Sequence, residues 1–141
     1  METGTDPRID VVTRLFAAWS SGDVDAPESF FHADAVLTDI VGGEHHGWAN
    51  IRAFFDRGLK RWPDLVLTPE KFWLSDDSIA LSWLMTATVP DASLFGPDAV
   101  GKQWASPGMS YIVFDGDLIR HEVDYHDSGS VPRSLGITPS R

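Results

Sequence analysis

Apolar residues recur near the start of the chain at helical intervals. Ile9, Val12, Phe16 and Trp19 are spaced by 3, 4 and 3 and share one face. Asp6 before Pro7 suits a capped first turn, and Ser20-Ser21-Gly22-Asp23 ends the run. A short second helix is predicted from about Asp25, with Pro27 in its first turn and Phe30 and Phe31 on its apolar side. His32-Ala33-Asp34 reads as a break, Ala35 to Ile40 as a strand, and Gly42-Gly43 as its close. Gly47 to Leu59 reads as a third helix, with Ile51, Phe54, Phe55 and Leu59 on its buried face.

From Leu65 onward the period changes to two. Four strands are predicted: Leu65–Leu74, Ser78–Val89, Lys102–Phe114 and Leu118–His126. Asp76-Asp77 and Asp115-Gly116-Asp117 are hairpin turns, because Asp-Gly between apolar runs favours a tight reversal. Residues 90–101 (PDASLFGPDAVG) read as a long loop, and residues 128–141 as a polar tail around Val131, Leu135 and Ile137. Residues 1–6 and 138–141 are expected to fray. The order predicts one α+β domain over 1–141, with about three N-terminal helices held by a strongly curved antiparallel sheet.

Composition narrows the class. The 141 residues can bury a core without staples. A net charge of −10 opposes contact with nucleic acid or anionic membrane, so neither partner is expected. Zero cysteines exclude disulfides, thiol catalysis and thiolate metal sites. The first residues lack a basic and apolar leader pattern, and no run approaches a membrane span, so a cytoplasmic protein is expected. Six Trp are a heavy aromatic load, suited to an apolar pocket or to a core.

Three segments carry a family resemblance: FAAWSSGDVD at 16–25, FFHADAVLTDIVGGEHHGWANIRAFF at 30–55, and YIVFDGDLIRHEVDYHDSGSVPRSLGI at 111–137. In this order they resemble the SnoaL-like polyketide cyclases and the ketosteroid isomerases of the nuclear-transport-factor-2-like superfamily. The resemblance implies a cone: a bent sheet around helices, enclosing a deep apolar pocket, in a protein that often dimerises through the convex sheet face. Fold alone does not settle function, since similar cones also host non-catalytic proteins.

On the last strand, Arg120, Glu122, Asp124 and His126 share one face by the two-residue period, and Ile119, His121, Val123 and Tyr125 the other. By resemblance Asp124 occupies the cyclase acid/base position. An Asp facing a Trp-rich cavity would be desolvated, which raises its pKa toward that of a proton shuttle. By resemblance Asp39 takes the isomerase aspartate position; it could equally cap the Gly42-Gly43 turn. His126 is the candidate relay, and Glu122 is expected to matter far less than Asp124. The isomerase oxyanion donors fall here on Leu15 and about Ser110, which disfavours steroid isomerisation. The cyclase histidine falls near Met109.

Phe16, Trp19, Phe55, Trp83, Trp104 and Met109 are the candidate substrate-binding residues. No metal is expected: His121 and His126 lie five apart on one strand and face opposite sides. No nucleotide loop or nucleophile elbow is present, and no cofactor is expected, because a carbonyl substrate supplies its own electron sink. The favoured function is a cofactor-independent acid/base enzyme of cyclase or isomerase type, acting on a hydrophobic oxygenated compound. Epoxide opening (with Arg120 beside Asp124), dehydration, and a non-catalytic ligand-binding module are the alternatives. A homodimer is expected because the late strands are apolar on both faces: Leu81, Trp83 and Met85 alternate with Ala80 and Leu84, and Tyr111 and Val113 with Ile112 and Phe114.

Overall fold

The computed structural model describes residues 6–137. Except for Asp6, the segments expected to fray lie outside them. Helix α1 (Pro7–Trp19) begins where expected, with the Asp6 carboxylate accepting from the Arg8 N–H. The Arg8 guanidinium also donates to the carbonyls of Ser75 and Ser78, which ties the helix to a distant hairpin. Val12, Leu15, Phe16 and Trp19 are its buried residues.

The second expected helix does not form. Glu28–Phe30 is a single 3-10 turn. Asp23 caps the Asp25 N–H and Asp25 pairs with Arg52, so local polar contacts compete with helix propagation. Strand β1 (Phe31–Asp39) starts four residues earlier than expected, and the His32-Ala33-Asp34 break is a bulge inside it. Strand β2 (Gly43–His46), absent from the sequence reading, pairs antiparallel with β1. Helix α2 is Trp48–Arg61. Strands β3 (Val66–Leu74), β4 (Ser78–Thr88), β5 (Gln103–Asp115) and β6 (Leu118–His126) match the four expected runs closely. Helix α3 (Ser130–Ser134) forms within the expected tail.

The strands form one six-stranded sheet in the order β2-β1-β6-β5-β4-β3. It is mixed rather than wholly antiparallel, because β1 and β6 run parallel. Periodicity reports which face a side chain takes and carries no information on strand direction. The curved sheet and the helices against it give the expected α+β fold, and the main core gathers α1, α2 and the concave sheet face around Phe16, Ile79, Leu81, Ile112 and Ile119. A second cluster around Trp104, Leu65, Val89 and Leu135 closes one end. Among the described residues no helix is long and apolar enough to cross a membrane.

Gly108 on β5 fixes one wall. A Cβ there would run into the Trp83 ring, so the indole lies directly across the glycine. Gly108→Ala must displace that ring or the strand. We expect a loss of about 1–3 kcal/mol in stability, measured by denaturant unfolding.

Candidate functional site

The site is built on β6, and a bulge sets its phase. Val113 on β5 pairs with His121 while Phe114 pairs with Ile119, which leaves Arg120 as an extra residue. Ile119 and Glu122, three apart, are therefore both buried. Arg120 does not share the face of Glu122, Asp124 and His126, contrary to the regular period. Its side chain is 51% exposed and pairs with Asp34 and Asp115. The Arg120–Asp124 pair considered for epoxide opening does not exist.

Neighbouring strands complete a polar row. Asp39 is the cross-strand partner of Asp124 in the β1–β6 pair, and Ser110 its partner in the β5–β6 pair. The Ser110 hydroxyl donates to Asp124 Oδ1 at 2.6 Å, and Trp83 Nε1–H donates to Ser110 Oγ at 2.8 Å. His126 Nε2 lies 3.3 Å from Asp39 Oδ1, which also accepts from the N–H groups of Val41 and Gly42 at 2.9 and 2.7 Å. Asp39 thus fills both roles weighed for it, capping the turn and facing the cavity.

These groups occupy one wall of a cavity of about 380 Å³, within the range of small-molecule sites. Phe16 and Trp19 of α1, Phe54 and Phe55 of α2, and Leu67, Trp83 and Met85 of the sheet supply its apolar lining. Arg57 and Arg61 of α2 stand on the same lining. A separate surface groove beside Trp48 is wider, but its polar side chains Asp25, Glu28 and Ser29 are all exposed.

Burial sets the proton inventory. Glu122 is 2% exposed, and its Oε1 has no hydrogen-bond partner. Desolvation, reinforced by the charge of Asp124, pushes its carboxyl well above the ordinary carboxylate range. Desolvation also raises Asp124, against the hydrogen bonds from Glu122 and Ser110 that favour its ionised form. Of the two, Glu122 is pushed up further, so it is the one that holds its proton to higher pH. Burial opposes the charge on Asp39, but His126, Gly42 and Val41 outweigh it and hold its pKa below the ordinary value. The hydrogen bond to Asp39 raises His126 despite its burial. The wall therefore carries a carboxylic acid, a carboxylate with raised pKa, and an Asp–His ion pair whose Nδ1 is buried without a partner.

The structure brings together Asp124, Asp39, His126, Phe16, Trp19, Phe55 and Trp83 from the sequence reading. Trp104 and Met109 are corrections. Trp104 belongs to the end cluster, where its ring meets Trp62 at 5.0 Å, and it does not line the cavity. Met109 neighbours the inward Ser110, so strand parity turns it outward, 43% exposed. Glu122, expected on the same face as Asp124, lines the cavity with it. Leu15 is buried in the core and is not on the cavity wall. Ser110, Arg57 and Arg61 went unpredicted as site residues. Among the described residues no three His, Asp or Glu side chains converge as metal ligands would.

A titration checks the assignment of the buried proton. Unfolded, Glu122 ionises near its ordinary value of 4.5; folded, it keeps its proton to higher pH. Between those values the folded state binds more protons, so this group costs stability as pH rises. Relative to the wild type, Glu122→Gln should therefore gain stability as pH rises above about 4.5 in denaturant melts. A difference that does not change with pH would remove the raised pKa.

With this geometry in place, known proteins give it context. The family model of the SnoaL-like domain matches residues 12–122. No curated protein matches. A Catenulispora acidiphila protein with a ketosteroid isomerase-like fold superposes with a TM-score of 0.80 at 21% identity, covering 95% of this chain and 96% of that one. A candidate polyketide cyclase from Acidithiobacillus ferrooxidans gives 0.82 at 19% identity, covering 96% and 98%. IdmH, a candidate polyketide cyclase from Streptomyces antibioticus, gives 0.80 at 16% identity, covering 94% and 100%. At such identities the structures establish the shared fold, and the model match, which spans most of the chain, establishes that this protein belongs to the SnoaL-like domain family.

Proposed function

We propose that the protein is a cofactor-independent enzyme of cyclase or isomerase type, moving protons on a hydrophobic carbonyl compound. One observation carries this reading: three carboxyl groups and an imidazole share one wall of a cavity whose other walls are mainly apolar. Buried titratable groups are costly to stability, and their concentration at one wall favours chemistry over simple ligand storage. Structural neighbours described as candidate polyketide cyclases support the same reaction class.

Asp124 is the base. It removes a proton α to a carbonyl, and the electron pair moves onto the carbonyl oxygen as an enolate. In a cyclisation the enolate carbon attacks a second carbonyl of the same molecule; one C–C bond forms, and the new alkoxide takes a proton. In an isomerisation the proton returns to a different carbon. Glu122 keeps a proton beside Asp124 and, with the His126 imidazole that Asp39 favours in its protonated form, offsets the charge that develops on oxygen. Ser110 and Trp83 hold the Asp124 carboxylate in one orientation.

Deuterium exchange tests this without the natural substrate. β-Tetralone in heavy water, followed by proton NMR, should lose its α-protons faster with the protein than in buffer. Asp124→Asn should lower that rate by about 10²–10⁴-fold while probe binding persists. Full exchange by Asp124→Asn would overturn the assignment.

We also propose a homodimer through the outer sheet face. Val123, Tyr111, Ala80 and Trp73 form one outward row across β6, β5, β4 and β3. Tyr125 and Met109 continue the patch, and Trp73, Met109, Tyr111 and Tyr125 are all exposed. A second copy is the simplest cover for such a surface. Sedimentation at tens of micromolar should show a dimer, and Tyr111→Glu a monomer that keeps its fold. A monomeric wild type would exclude it.

A further inference from the structure

Positive charge is scarce in this chain, and the fold neutralises most of it. Of the seven arginines among the described residues, five pair with aspartates: Arg8, Arg14, Arg52, Arg120 and Arg133. The other two, Arg57 and Arg61, make no ion pair and both line the cavity. They lie four apart on α2, so their guanidinium groups rise from the same face of the helix. Arg61 sits in the last turn, where any cation gains from the helix dipole. Arg57 is a full turn earlier, where that gain has largely faded.

Both arginines are exposed, whereas Glu122 is deeply buried and Asp124 and Asp39 are partly so. The cavity is therefore polarised, with cations at its exposed α2 rim and acids on its inner wall. Elsewhere a net charge of −10 repels an anionic ligand, and the inner carboxyls repel one that enters charge-first. The rim carries the two arginines of the lining that no carboxylate neutralises, and a guanidinium fork matches a carboxylate in shape and charge.

We propose that Arg57 and Arg61 form an anion-binding rim, and that the substrate is an apolar carbonyl compound bearing a carboxylate remote from the reacting carbon. The pair fixes the direction of entry: the apolar body goes in first and its reactive carbonyl reaches Asp124. This deepens the reading of the cavity given above and rests on it.

Calorimetry with two isosteric probes separates the possibilities. Wild type should bind β-naphthoate about tenfold more tightly than the neutral β-naphthamide, and added salt should shrink that preference. The double variant R57Q/R61Q should bind both probes alike, with its affinity for the amide unchanged. Equal binding by wild type, or a preference that survives in the double variant, overturns the anion rim and leaves the cavity reading in place. Binding of neither probe overturns both.

Discussion

The one extra residue at Arg120 governs the site. A regular strand that buries Ile119 would turn Glu122, Asp124 and His126 to the outer face. The bulge absorbs Arg120, and the strand inverts its phase partway along. Its first half then serves the core through Ile119, and its second half supplies the acids of the cavity wall. Arg120 itself is released to the surface, where Asp34 and Asp115 hold it. The same irregularity that places the carboxyls inside also removes the cation that would have neutralised them.

The acids that enter are supported unequally. Asp39 has two backbone donors and the imidazole of His126, so it stays ionised cheaply. Asp124 has the Ser110 hydroxyl, itself held by the Trp83 indole N–H. Glu122 leaves one oxygen without any partner. The wall is thus graded from a hydrogen-bonded carboxylate on β1 to a buried acid of raised pKa at Glu122. That gradient separates acid from base among chemically similar groups, which is what proton transfer near neutral pH requires.

How much of this the chain discloses depends on which physical signal carries it. Helical spacing marks α1, and two-residue alternation with Asp-Gly turns marks β3 to β6, because burial of one face writes itself into residue type. The same alternation pairs Asp124 with His126. Strand β2, Gly-Glu-His-His, carries no apolar signal, since backbone pairing with β1 and polar or ring contacts with α2 hold it. The bulge at Arg120 leaves no mark in a polar strand end. The parallel β1–β6 pairing depends on chain path rather than residue pattern. Trp104 shows the remaining ambiguity: an indole seeks burial, but its type does not say which of two apolar clusters receives it. Ser110 was legible only as the absence of a stronger donor, and its actual role needed the cross-strand register to appear.

The parallel pairing of β1 with β6 has a kinetic meaning. It joins Asp39 to Asp124, residues 85 positions apart, and closing so long a loop is among the slower and entropically dearer steps of folding. The β3-β4-β5-β6 meander needs only local reversals and can form without it. A chain caught at that stage would own an apolar concavity lined by Trp83 and Met85, with Asp124 on its wall and no Asp39 beside it. Docking of β1 sets Asp39 against Asp124 and His126. Completing the sheet and completing the acid wall are therefore a single event, and a chain that stops short of it exposes apolar surface without that wall.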